Sequence, residues 1–232
     1  MKMKVSALLL SALIILSGCT TMQNASNKAK IGTAAGAGGA AIGAIIGAIA
    51  GKGKGAAIGA GIGAVVGGGA GVLIGNKMDK AKKAAELANA QAEIIKNEET
   101  GLTYVKVTFP SGLLFATGKD VLSPQAKSDL ATFAQNLEAD MDLYVYGFTD
   151  NQGWKNSTAE QSRQKNQVLS EQRATAVSNY MAQNGIKYAQ LKEVKGMGED
   201  TTQATLDANR RVEVYVMPSA EMIKNAQAQA GE

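Results

Sequence analysis

The chain of 232 residues has no histidine and a single cysteine, and each scarcity removes a class of chemistry. Without imidazole there is no side chain whose ordinary pKa lies near neutrality, so the commonest general base and a usual zinc ligand are both missing. One thiol excludes an intramolecular disulfide and leaves no cysteine set for a metal. Charge of one sign is also lacking: 24 Lys and Arg are mixed with 20 Asp and Glu. There is no basic block of the kind that nucleic-acid binders carry, and no nucleic-acid partner is expected. The chemistry left is that of carboxylate, lysine or serine, and no spaced motif announces it. Asp120, Asp140 and Asp142 stand at predicted helix ends or strand starts, where carboxylates cap or are solvated. The expectation is a protein that is not an enzyme and holds neither cofactor nor metal.

What is there begins with an address. MKMKVSALLLSALIILSGC places Lys2 and Lys4 ahead of an apolar run, Val5 to Leu16, followed by small residues. That is the order of a secretory signal, so residues 1–18 are read as removed. The ending LSGC resembles the lipobox of bacterial lipoproteins, which implies acylation of Cys19 and membrane attachment through its acyl chains, at ~0.8 kcal/mol per buried methylene. Thr20 and Thr21 follow, without the Asp that marks inner-membrane retention, so the outer membrane is the expected location.

Beyond a lipidated tether, residues 19–30, glycine recurs at positions 39, 43, 47, 51, 55, 59, 63, 67, 71 and 75. A strict four-residue period lines one helix face with glycine and lets a second helix approach closely. Residues 31–50 and 55–75 carry no charge, and each could just cross a layer of about 30 Å as a helix. GKGKG between them supplies a turn. In water such segments are poor helices, since each glycine costs about 1 kcal/mol relative to alanine. Tight packing or a membrane must compensate. The segment resembles the glycine-zipper regions of bacterial envelope lipoproteins, and residues 31–76 are read as a helical hairpin that associates with a membrane or with itself. A water-soluble packed hairpin and a flexible spacer are the alternatives. Residues 77–100, rich in Ala, Lys and Glu, read as an exposed helical linker, and 219–232 as a tail.

Between them, residues 101–218 read as an α/β domain. TYVKVTF (103–109) has strand composition, and DLYVYGF (142–148) does too. Pro124 behind Ser123 suits a first helical turn, and Ala126, Leu130, Phe133, Ala134 and Leu137 recur at helical spacing. A second helix runs through NQVLSEQRATAVSNYMAQNG to Gly185, and 191–194 with Val212, Val214 and Val216 complete the strands. The prediction is a mixed sheet with two main helices on one face.

FATGKDVLSP, YGFTDNQG, NQVLSEQRA and NRRVEVYV, in that order, resemble the OmpA-like peptidoglycan-binding domain. With lipobox and glycine zipper in front, the chain as a whole resembles the YiaD-type lipoproteins. The resemblance implies a receptor for diaminopimelate, whose distal end carries an ammonium and a carboxylate. A carboxylate and a guanidinium would meet them, Asp150 and Arg173 by motif position, and the planar guanidinium can hold a carboxylate with two parallel bonds. Thr149 and Asn151 would position the loop, Asn166 matches the family's asparagine, and of Arg210 and Arg211 one would help the site, with Arg211 taken as that one. The plain alternatives are an Asp150–Arg173 salt bridge of structural value only, or an Asp150 that merely caps the turn.

Three features depart from the family pattern. Phe148 replaces its histidine, WKNSTAEQSRQKN (154–166) lengthens the segment before the second helix, and the stretch before NRR is short. The longer segment could form a lid or extend the helix backwards. Trp154 within it would then lie on ligand or glycan, or simply anchor the loop, the reading preferred. Two functions follow: a tether holding peptidoglycan through Asp150 and Arg173, or a membrane-perturbing or self-associating zipper protein whose domain only localises it.

Overall fold

The structure, a computed structural model, describes residues 68–96 and 102–231. Cys19, the signal and most of the glycine hairpin lie outside the described residues.

Alternating β-branched residues build the sheet. β1 (Gln91–Lys96), β2 (Thr103–Pro110), β3 (Met141–Thr149), β4 (Leu191–Glu199) and β5 (Arg211–Pro218) lie in the order β1-β2-β5-β3-β4. Only β3 and β4 run parallel. The register sets Val107 against Val214 and Val214 against Val145, so these valines share one face, fully buried, as a period of two requires. Helices cover it. The N-cap Ser123 accepts from Ala126 N and starts α3 (Pro124–Gln135), after the single turn α2 (Ser111–Leu114). Phe133 of α3 meets Phe109 of β2 edge to face at 5.6 Å. The long α4 (Ala159–Gln183) lies over β3 and β4. A single turn α5 (Leu206–Asn209) leads into β5.

Glycine permits α4 its close approach. A Cβ on Gly147 of β3 would stand 2.1 Å from the Ser170 carbonyl oxygen, and one on Gly196 of β4 would stand 2.3 Å from Glu171 N. Both contacts are with helix backbone, which cannot swing aside. Ser170 Oγ accepts from Gly198 N at 2.9 Å and Gln167 Nε2 donates to Gly196 O at 2.8 Å, fixing the helix over the strands.

The expected α/β architecture is present, but its borders are wider than 101–218. The 77–100 linker is instead the end of a helix and a strand. α1 (Gly68–Leu87) buries Ala70, Ile74, Met78, Ala81 and Ala85 along one stripe, reaching β1, β2 and α3. Asn89 then turns the chain at φ 54, and Gln91 to Lys96 pairs with β2 as the sheet's edge. Lys77 of α1 reaches Glu138 at 2.7 Å and Asp140 at 2.6 Å, half-exposed ion pairs that tie the helix to the domain. The tail is also a helix, α6 (Ala220–Ala230), capped by Ser219, with Met222, Ile223 and Ala226 buried. It packs on α1, where a Cβ on Gly69 would come 3.0 Å from Ala230 Cβ. The second arm expected for the hairpin, to Gly75, thus ends inside α1.

Candidate functional site

Asp150 follows the last residue of β3, in the crevice at a strand's carboxyl end where α/β sheets place ligands. Its Oδ1 accepts from Gln152 N at 3.2 Å, a short turn closed by the side chain. Its Oδ2 pairs with Arg210. Each carboxylate oxygen keeps a further lone pair.

Asn166, buried on α4, fastens the loop after Asp150. Its amide nitrogen donates to Glu199 Oε1 at 2.9 Å, Gln152 O at 3.2 Å and Asp150 O at 3.4 Å, and its oxygen accepts from the Trp154 indole at 2.7 Å. Seven residues on, two turns further along the same helix face, stands Arg173. It is 3% exposed, its Nε donates to Lys119 O at 3.0 Å and its guanidinium lies 5.2 Å from the Phe115 ring centre. The two terminal nitrogens have no acceptor among the described residues. Burial, and after it Arg210, weigh against the charge of Arg173, while Asp150 and Asp120 favour it; the balance lowers its pKa from the ordinary value. An anion arriving there would relieve that cost.

These groups border one cleft of about 250 Å³, with Thr149, Asp150, Asn166 and Arg173 among its walls, together with Trp154 and Arg210. Thr149 is 2% exposed, and its hydroxyl has no partner among the described residues. Asp150 pairs with Arg210 and not with Arg173, so the plain salt-bridge alternative for Asp150 and Arg173 is not what the structure has. The cleft therefore presents one carboxylate and one guanidinium with free terminal donors, with an unpartnered hydroxyl buried in its wall.

Two expected site residues are placed elsewhere. Arg211 does not border the cleft: it pairs with Asp200 at 2.8 Å and Glu213 at 2.7 Å, and its guanidinium lies 4.0 Å from the ring centre of Phe148, its cross-strand neighbour. The side chain of Arg210, just ahead of β5, reaches the cleft instead. Asn151 is exposed and outside the walls. The lengthened segment extends α4 backwards, with Thr158 and Gln161 forming a reciprocal cap at its start. Trp154 is both anchored by its indole N–H and part of the cleft wall. Sequence reading passed over Thr117 and Gly118, which close the cleft opposite Trp154; the glycine of FATGKD, at φ 68, was the available signal.

A cleft at strand ends bordered by opposite charges is where an α/β domain binds a ligand. Residues 114–214 match the model of the OmpA family, and residues 1–79 that of the YMGG-like Gly-zipper. The chain thus combines an N-terminal region that matches the Gly-zipper model with a C-terminal domain that matches the OmpA family, whose domain is a non-catalytic peptidoglycan-binding one. Solved structures similar to it include a MotB-like protein from Desulfovibrio vulgaris, 24% identical over 65% of this chain and 96% of that one, with a TM-score of 0.49. An OmpA-like domain from Francisella tularensis is 28% identical over 56% of this chain and 81% of its own, with a TM-score of 0.41. The peptidoglycan-associated lipoprotein from Burkholderia pseudomallei is 21% identical over 45% and 88%, with a TM-score of 0.36.

Proposed function

We propose that the cleft binds the diaminopimelate of peptidoglycan stem peptides, and that the chain, acylated at Cys19, tethers the outer membrane to the cell wall from the periplasmic side. One observation carries this reading: Asp150 and the free end of Arg173 border the same small recess. The distal end of diaminopimelate is a zwitterion. Its carboxylate suits the guanidinium fork and its ammonium suits the open lone pairs of Asp150. Arg210 keeps the Asp150 charge compensated until a ligand ammonium arrives. Binding of this kind is reversible, as a tether requires, and self-association through the glycine stripe would add valency.

Sedimentation with purified walls tests it. The full chain should pellet with a diaminopimelate-type wall, remain in solution with a lysine-type wall, and lose most pelleting on Asp150→Asn. Wild-type protein that stays in solution with both walls contradicts the reading.

A further inference from the structure

A larger recess adjoins the cleft and takes no part in the reading above. Its volume is about 500 Å³, and it shares Gly118, Trp154 and Leu169 with the cleft, so the indole is a partition between two connected spaces. One wall is a stripe of α4. Gln161, Gln164, Val168 and Gln172 are spaced three, four and four residues apart, hence on one helix face, over about 16 Å at ~1.5 Å per residue. Asn156, held at φ 56, and Asp120 border the recess as well. A further depression of about 470 Å³ continues past Asp120, Val168 and Gln172 to Asn179.

The wall chemistry is unlike that of the cleft. Carboxamides dominate, and each offers donors and an acceptor from one planar group. The Asn156 and Gln172 side chains have no hydrogen-bond partner among the described residues. Beside them stands an indole already fixed by its bond to Asn166, with Lys165 Nζ 5.8 Å from the ring centre. Val168, 53% exposed, supplies an apolar patch on the same stripe. A neutral ligand with many hydroxyl or amide groups and an apolar C–H face satisfies all three, whereas an anion would find one lysine opposed by Asp120.

We propose that this recess is a saccharide subsite, built by the lengthened segment 154–166, which receives the N-acetylated sugar bearing the stem peptide. The inference rests on the diaminopimelate reading of the cleft. In a stem, the diaminopimelate is joined to its sugar through two amino acids and a lactyl ether, a span of about 10 Å at ~3.3–3.6 Å per residue. A recess that shares its wall with the cleft lies within that reach. The fixed indole and the stripe of amides are ordered before the sugar arrives, which lowers the cost of holding it.

Titration of the full chain with two ligands tests the subsite: a diaminopimelate-containing tripeptide, and the same tripeptide on its disaccharide of N-acetylglucosamine and N-acetylmuramic acid. Wild type should bind the sugar-bearing ligand at least fivefold more tightly. Its sole tryptophan should change fluorescence more with that ligand than with the bare tripeptide. Combining Gln164→Ala with Gln172→Ala leaves every wall residue of the cleft in place; this variant should bind both ligands equally, with the wild-type affinity for the tripeptide. Equal wild-type affinities for the two ligands overturn the subsite and leave the cleft reading standing. Binding of neither ligand overturns both.

Discussion

Asp200 shows how a single carboxylate holds the floor beneath the cleft. It is 3% exposed, its backbone N–H donates to Thr149 O at 2.8 Å, and its side chain pairs with Arg211 at 2.8 Å. Burial pushes its pKa up, but bonds from Thr202 and Arg211 outweigh burial and hold it below the usual carboxylate value. Its contribution is therefore complete above the unfolded-state pKa of about 3.9 and is lost as pH falls through the lower folded value. Asp200→Asn leaves Arg211 short of a partner in a buried site and should cost about 3 kcal/mol at neutral pH. Melting temperatures of both proteins from pH 6 to pH 2 should converge at the acid end; parallel curves contradict this role. At this scale the motifs made Asp150, Thr149, Asn166 and Arg173 legible, and all four border the cleft. The choice between Arg210 and Arg211 was not legible. Adjacent side chains at a strand start point to different sides, and only the pairing of Phe148 with Arg211 decides which one stacks and which one reaches the cleft.

Elements at the two ends of the described chain carry more of the fold than their composition suggests. α1 and α6 lie against each other, and β1 extends the sheet beyond the span that resembles the family. Alanine explains why the sequence concealed this: AKKAAELANA has the look of a solvated helix, yet its alanines are small enough for close packing, and Ala81, Ala84, Ala85 and Ala88 are buried. The strand β1 is short and on an edge, with only partial burial, so alternation gave little signal. By contrast, α3 announced itself through Ser123, Pro124 and its apolar spacing. If α1 belongs to the core, Ile74→Ala, at a site 1% exposed, should destabilise the protein by about 2–4 kcal/mol in urea denaturation followed by far-ultraviolet circular dichroism. A linker helix would give a change near zero. The close approach of α4 was legible only in hindsight: a glycine within a strand can mark a bulge, a bend or a helix backbone overhead, and Gly147 and Gly196 are of the last kind.

Across the whole molecule, the glycine-rich region runs directly into the binding domain. The YMGG-like match ends at residue 79, well inside α1, so the two regions share a helix rather than being spaced by a linker. Among the described residues no helix is long and apolar enough to cross a membrane. In the account proposed here, Cys19 supplies the anchor, the domain supplies the grip on the wall, and Asp150 with Arg173 supplies the choice of wall. The choice of wall is tested by titrating the full chain, wild type and Arg173→Ala, with two tripeptides that differ only in whether the third residue is diaminopimelate or lysine. The pair differs in one carboxylate, the group assigned to Arg173. Wild type should favour the diaminopimelate peptide at least tenfold, about 1.4 kcal/mol, and Arg173→Ala should bind the two alike. Equal wild-type affinities, or a preference that survives in Arg173→Ala, would contradict the account.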